Sequence, residues 1–557
     1  MNRPFVLSFV LILLAAPAPA EERGFVPFVP DASHQVFRDQ VIERVRTYAA
    51  EAIEPSATAE PRTLASIWDS DYQRSNWQIT INAYLGGDQL GQGNAEGRAL
   101  LPALKEATEE AMAAAADGGA KLDDFRFTVS FAYHPWRRYS VLDFGGGGVE
   151  LLGSRVALRQ LTTADLQWEI RAGVAYLLRQ QHPTWHGFFR AYDADADEAE
   201  ELLRTTYSAT ALFSLIKAHG LRPDLGLDRY FAPIADFLLD RQLTSGPHVG
   251  GFDYGINPET GEGTCRIVVG TTSKTIYTLL LLDQHAPDDP RYLDAARRAG
   301  DWLLTMIDED GGVMPKATCR GGEWKLHGGR SFLYTGEVLS ALSRLYRATA
   351  DPRYLEGARR IGALLLREVA RQGPLVADDY RPANSISSSW VLMSLMDLAR
   401  VDPKPEYIET LVQVGEVLLA QQLQDPSDLF NHGRFLDTTT TSGNGWINEV
   451  FGDWYVFCEQ ERITDCQPYR EAMRRTSRWL LQNAYNGINS YDIKDPARAR
   501  GGMITNFKTP TVRTDAVSHG LNGLISLTRI EGGHEGPLLS LPEPPLREVL
   551  PLLRAGN

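Results

Sequence analysis

Three carboxylates and one lysine stand inside segments that are otherwise apolar. Glu337 lies in Gly336-Glu337-Val338-Leu339, Glu449 in Asn448-Glu449-Val450-Phe451 and Asp515 in Asp515-Ala516-Val517. Aligning these segments with their counterparts puts Thr210, Lys274, Glu337, Trp390, Glu449 and Asp515 in one column. Burying a charge without a partner is expensive, so such a column needs a reason. One reason is a set of acids surrounding a substrate; the other is a ring of structural ion pairs, for instance Lys274 with Glu337. Separated carboxylates can cleave a glycosidic bond, one protonating the leaving oxygen and the other activating water. In that chemistry Glu337 is the acid and Glu449 or Asp515 the base. Asp453, one turn beyond Glu449, is either a like charge that raises a carboxyl pKa or an ordinary solvated residue.

A second constellation suits removal of a proton beside a carboxylate, which wants Tyr or His as base and Arg to hold the acid. Tyr334, Arg513 and His519 supply it, with Arg204 and Tyr207 in the first repeat. His519 falls one helical turn from Asp515, an arrangement that fixes an imidazole tautomer or simply forms a structural pair. Asp253, Tyr254, Lys274, Trp390 and Trp446 complete the expected substrate-binding set.

These residues are carried by a repeat. A tyrosine turn recurs as Asp289-Pro290-Arg291-Tyr292-Leu293, Asp351-Pro352-Arg353-Tyr354-Leu355, Pro405-Glu406-Tyr407-Ile408 and Gln467-Pro468-Tyr469, with Asp228-Arg229-Tyr230-Phe231 before them. Proline near a first helical turn and Asp as its cap make each marker a helix start. Leu303-Leu304, Leu365-Leu366, Leu418-Leu419 and Leu480-Leu481 keep one offset from their tyrosines, as apolar helix faces on a common core do. After each helix comes a longer connection containing glycine and aromatics, then a second apolar helix. The second helices are expected near 205–217, 269–283, 332–347, 385–400, 444–460 and 512–529. They are apolar nearly all round, which favours a closed ring with an inner wall over an open solenoid.

On this architecture, and on phrases such as Tyr334-Thr335-Gly336-Glu337 followed by the Asp351–Leu355 turn, the chain resembles the six-hairpin toroid superfamily. That group includes unsaturated glucuronyl hydrolases, N-acylglucosamine 2-epimerases, glucuronyl C5-epimerases and polysaccharide lyases. The resemblance implies a mainly α fold, an (α/α)₆ toroid of six helical hairpins over 164–530, and an oligosaccharide or polysaccharide substrate. It implies a carbohydrate-active enzyme, with a glycan hydrolase ahead of a lyase or uronyl epimerase. A non-catalytic glycan-binding or export protein is the rival of a different class. Loop aromatics such as Trp185, Phe252, Tyr254, Trp324, Tyr380, Phe430 and Tyr491 place function on the long-connection face, where the N–H groups of the inner helices favour sugar oxygens or carboxylates.

Ahead of the ring, 77–84 and 125–133 alternate like strands, with an alanine-rich helix over 99–116 between them and a further strand near 149–158. This predicts a small α+β domain over 65–163. Gly145 to Gly148 lack the lysine and spacing of a phosphate loop and read as a hairpin turn. Residues 1–20 have the form of a signal peptide, with Arg3, an apolar run from Phe5 to Ala16 and the exit Ala18-Pro19-Ala20. A leader over 21–64 and a tail over 531–557 flank the two units. Export to the periplasm or medium is expected, with no membrane span. A net charge of −15 without a basic run speaks against nucleic acid.

No cofactor motif and no metal-site spacing is expected. Asp193 to Asp197 begin like a calcium loop but lack its glycine and its final glutamate. Cys265 with Cys319, and Cys458 with Cys466, are either disulfides or buried thiols.

Overall fold

The computed structural model describes residues 31–53, 77–85, 88–97, 100–113, 121–133, 138–145, 151–153, 161–194, 196–424, 431–485, 494–506, 509–532 and 537–539. The expected signal peptide, the tail beyond 539, Phe430 and Tyr491 lie outside them. Among the described residues no helix is long and apolar enough to cross a membrane.

The leading unit has its own core. Helix α1 (Asp31–Ile53) is followed by strands β1 (Trp77–Leu85) and β2 (Asp88–Gly97), helix α2 (Leu100–Ala113), and strands β3 (Phe125–Tyr133), β4 (Arg138–Gly145) and β5 (Leu151–Gly153). The strands form one antiparallel sheet in the order β2-β1-β3-β4-β5. Alternation in β1 and β3 sends Ile79, Ile81, Ala83, Phe125, Phe127 and Val129 to one face, against Leu104, Ala107 and Ala111 of α2. Val45, Tyr48 and Ala49 of α1 join that core, so a helix of the expected leader packs as part of the α+β unit. Two strands carry no clear signal in the sequence: β2 is rich in glycine and amides, and in β4 polar and apolar residues do not alternate strictly. The β4–β5 pair brackets the glycine run, as a hairpin turn requires.

Six hairpins then close into the toroid. The outer helices are α3 (Thr163–Gln180), α5 (Phe231–Leu239), α7 (Pro290–Thr305), α9 (Pro352–Gln372), α11 (Pro405–Ala420) and α13 (Gln467–Gln482). The inner ones are α4 (Thr205–Leu221), α6 (Val269–His285), α8 (Phe332–Thr349), α10 (Ser385–Ala399), α12 (Thr441–Glu461) and α14 (Thr514–Glu531). Each inner helix packs on the next, and α14 returns to α4. On the long-connection face, residues 509–513 pair with 191–193, which stitches the last repeat to the first. At the chain's end, Pro537–Leu539 pairs with Leu161–Thr162 at the start of α3.

The tyrosine turns set the spacing of the ring. Tyr292, Tyr354, Tyr407 and Tyr469 are all buried. Gly300, Gly362 and Gly415 stand eight residues after the first three of them, on the outer helices. Each accepts the tyrosine of the following repeat: a Cβ at Gly300 would lie 2.9 Å from the Tyr354 ring, one at Gly362 3.7 Å from the Tyr407 hydroxyl, and one at Gly415 2.6 Å from the Tyr469 hydroxyl. The repeated Asp-Pro caps work as read, since Asp289 and Asp351 accept from the Arg291 and Arg353 amides. Both cysteine pairs are disulfides, with Cα–Cα distances of 5.3 Å for Cys265–Cys319 and 6.1 Å for Cys458–Cys466. The first joins two successive connections on the long-connection face.

Two outcomes follow for the fold. Gly415→Ala is expected to lose about 1–3 kcal/mol by overpacking, because Tyr469 is wedged among Phe451 and Trp454. Gly328→Ala, which meets nothing within 4 Å, leaves the melting temperature unchanged. Denatured, unreduced protein is expected to expose no titratable thiol among its four cysteines; finding four removes both disulfides.

Candidate active site in the toroid lumen

The sixth residue of every inner helix faces the lumen, in one layer: Thr210, Lys274, Glu337, Trp390, Trp446 and His519. This corrects the column read from sequence. Lys274, Glu337, Thr210 and Trp390 keep their places, but Trp446 and His519 occupy the positions assigned to Glu449 and Asp515. The reason is the start of α12. Thr440 caps it, its hydroxyl oxygen accepting from the Gly443 amide, so the helix begins three residues earlier than expected. A run of threonines from Thr438 to Thr441 hid that cap. On α14, Asp515 sits one turn nearer the mouth than His519.

Contacts within the layer are direct. Trp390 and Trp446 stack with ring centroids 3.9 Å apart, and Trp446 donates its indole N–H to Ser389. The Lys274 ammonium lies 5.6 Å and 5.8 Å from the two indole centroids, 3.7 Å from Glu337 Oε1 and 3.3 Å from His519 Nε2. His519 Nδ1 is 2.8 Å from Glu449 Oε2, one turn deeper, and Glu449 Oε1 is 3.7 Å from Lys217. An ammonium has only protons to offer, so Lys274 donates to the Nε2 lone pair and Nδ1–H donates to Glu449. Glu449 thereby fixes the tautomer, the part expected of Asp515. Asp515 instead receives a two-pronged pair from Arg513 at 2.6 and 2.9 Å, and Arg513 also reaches the Tyr207 hydroxyl at 3.2 Å.

The two buried glutamates are driven in opposite directions. Burial pushes the Glu337 carboxyl up to about 7, with the Lys274 charge opposing it only in part. Its second oxygen, Oε2, has no hydrogen-bond partner, and Gly270 makes room for it: a Cβ there would lie 2.9 Å from the Tyr334 ring and closer still to Oε2. Burial would raise Glu449 too, but Lys217 and His519 outweigh it and hold the carboxyl down at about 2. Burial and the Lys274 charge lower His519 from the usual imidazole value, against the opposing pull of Glu449, which favours its neutral form. Burial and Glu337 push the Tyr334 hydroxyl up to about 12. Divergent carboxyl pKa values of this kind are how a protein separates an acid from a base.

Nearer the mouth, Tyr254 is sandwiched between Arg204 and Arg266, whose guanidinium carbons lie 5.0 and 4.5 Å from its centroid. Arg204 reaches Glu200 at 3.8 Å. Asp253 is spent on its own loop, accepting from the Gly255, Thr264 and Cys265 amides and the Thr264 hydroxyl. Asp453 lies one turn below Glu449 on α12. Lys217, Gly270, Arg266 and Arg381 were not singled out in the sequence. Lys217 had the same signal as the others, a charge in an apolar inner helix; the arginines lie in connections that carry no pattern.

No protein-family model matches the chain, and no curated protein sequence matches it significantly. Solved structures do. A family 76 glycoside hydrolase from a bovine Bacteroides thetaiotaomicron strain superposes with a TM-score of 0.51 at 12% identity, over 82% of this chain and 94% of its own. A cellobiose 2-epimerase from Bacillus thermoamylovorans B4167 superposes with a TM-score of 0.50 at 12% identity, over 65% and 98%. At this identity the likeness is one of fold, and that fold is the six-hairpin toroid.

Lys217→Met is expected to strand the Glu449 carboxylate, costing on the order of 3 kcal/mol in denaturant unfolding at pH 7. The loss shrinks as pH falls and the carboxyl is protonated. An unchanged midpoint removes Lys217 from the network.

Proposed function

We propose that the lumen layer is the catalytic centre of a carbohydrate-active enzyme, and that its reaction is hydrolysis of a glycosidic bond. The observation that carries this is Glu337: a buried carboxyl with one free oxygen, which burial pushes up to about 7 so that it still has a proton to give in neutral solution. Glu337 protonates the leaving oxygen. Once the attacking water displaces the Lys274 ammonium from the Nε2 lone pair, His519, oriented through Nδ1 by Glu449, takes the water's proton, and Lys274 steadies the charge that develops between them. The Trp390–Trp446 pair supplies an apolar wall. Glu449 itself, clamped by two cationic or donor groups, holds the base rather than acting as one. Arg513 with Asp515, Tyr207, Tyr254 and Arg204 line the approach. The fold shared with a glycoside hydrolase and a sugar epimerase supports a sugar substrate. The disulfides and the leader sequence support an exported enzyme, periplasmic or secreted.

A second reaction on the same residues has its own observation. A neutral histidine oriented by a buried carboxylate, with Tyr334 and Arg513 above it, is also equipped to move a proton at carbon, as a lyase or uronyl epimerase does. New reducing ends, absorbance of unsaturated products, and solvent deuterium in recovered sugar separate the three outcomes on one panel of neutral and uronic-acid glycans.

Glu337→Gln keeps volume and a hydrogen-bond acceptor but has no proton to transfer, so turnover is expected to fall by roughly 10²–10⁴ with the fold intact. Near-normal turnover removes Glu337 as the acid. The pH profile of kcat/KM is expected to be a bell. Its alkaline limb lies near 7, where Glu337 loses its proton, and its acid limb lies below 6.5, where His519 gains one. A Glu337→Gln variant whose residual activity keeps the alkaline limb contradicts the assignment.

A further inference from the structure

Arginine gathers where the backbone disfavours it. Arg204 and Arg513 stand immediately before the first residues of α4 and α14, Arg266 three residues before α6, and Arg381 four before α10. A helix N-terminus is the positive end of its dipole and prefers Asp, Glu or an anion. Neither Arg204 nor Arg513 caps its helix with a side-chain hydrogen bond. All four belong to the long-connection face of a protein whose net charge is −15, so bulk composition does not explain the cluster.

Acid partners account for only part of it. Arg513 is taken by Asp515, and Arg204 shares Glu200 with Arg190. Among the described residues, no carboxylate is within ion-pair distance of the Arg266 or Arg381 side chain. Arg266 lies on the Tyr254 ring, and its Nε is buried without a hydrogen-bond partner; the Arg204 Nε is in the same state. Arg266 and Arg381 both lie close enough for their charges to act on the Tyr334 hydroxyl, and Arg381 acts on the Glu337 carboxyl as well. The turn that carries Arg381 is tied to the start of α8, the Asp378 and Asp379 carboxylates accepting from the Phe332 and Arg330 amides, and Gly270, four residues beyond Arg266, packs on Tyr334 and Glu337. Two guanidinium groups without a carboxylate partner therefore stand in the connections at the Tyr334–Glu337 end of α8, with donors to spare. A cation–π contact orients a guanidinium but leaves its charge and in-plane N–H groups available.

We propose that this mouth binds an acidic glycan, with a carboxylate or sulfate of the sugar held by Arg266 and Arg381 beside Glu337. The inference rests on the sugar-active reading of the same site and names its substrate class. Planar guanidinium forks match both oxyanions, and the empty acceptor positions around Arg266 and Arg381 are what such a group fills. The bound anion also adds negative charge next to Glu337, which keeps that carboxyl protonated in the complex.

The test is calorimetric binding to full-length Glu337→Gln protein, which separates binding from turnover. The probes are a galacturonic acid tetrasaccharide, a sulfated heparin tetrasaccharide, and the carboxyl-reduced form of the first. At least one acidic probe is expected to bind more tightly than the neutral one, with affinity falling as salt rises. Arg266→Gln and Arg381→Gln should each weaken that probe by about tenfold or more and leave the neutral probe unaffected. Arg381 is exposed, so its variant keeps the claim testable even if Arg266→Gln disturbs the loop. Acidic probes that bind no better than the neutral one, or binding indifferent to both substitutions, overturn the proposal. Parallel turnover assays of the unmodified enzyme separate the two readings. Cleavage of neutral glycans alone sinks the acidic-substrate inference and spares the hydrolase; acidic binding with no turnover of any glycan does the reverse.

Discussion

The cost of removing charge from water governs this molecule. The inner wall of the toroid is built from helices that are apolar almost all round, yet it encloses Lys217, Lys274, Glu337, Glu449 and His519. Each must find a partner or change protonation state. Glu449 takes the first route, paired with Lys217 and His519, and stays ionised. Glu337 takes the second: one shared lysine at 3.7 Å does not repay its burial, and it holds its proton to about 7. Neighbouring carboxyls in the same lumen thus come to differ widely in acidity because one has two partners and the other has half of one.

That difference depends on phase. A rotation of one inner helix by a single residue, or a slide by one turn, separates Lys274 from Glu337 and His519. The ring fixes the phase from outside, where Tyr354, Tyr407 and Tyr469 each fit over a glycine of the preceding outer helix and set how closely successive hairpins approach. On the other face, short strands and the Cys265–Cys319 bridge tie the connections together. The chemistry sits between two independently braced ends.

Much of this was legible in the chain because repetition is a strong signal. The tyrosine turns, the leucine pairs and the six apolar segments each recur, so errors in one copy are corrected by the others. The expected inner helices match those observed to within a few residues. The candidate site was legible by residue type, since a charge in an apolar helix stands out. It was less legible by level: a threonine run concealed the start of α12, and Glu449 and Asp515 were placed in a layer that Trp446 and His519 fill. Arg266 and Arg381 lie in non-repeating connections and are brought to Glu337 only by tertiary folding. Likewise β2, with its glycines and amides, reads as a loop and becomes a strand only because β1 offers it an edge.

The central claim is that Glu337 is a neutral acid near neutral pH, and it can be observed directly without a substrate. Infrared difference spectra of the protein in heavy water, titrated from pH 5 to pH 9, report protonated carboxyl groups through their carbonyl stretch. The account predicts a band that disappears with a midpoint near 7 and is missing from the Glu337→Gln protein. A Glu337 band already lost by the ordinary carboxyl value of 4.5 contradicts it, for the lumen then holds an ionised glutamate with no proton to give.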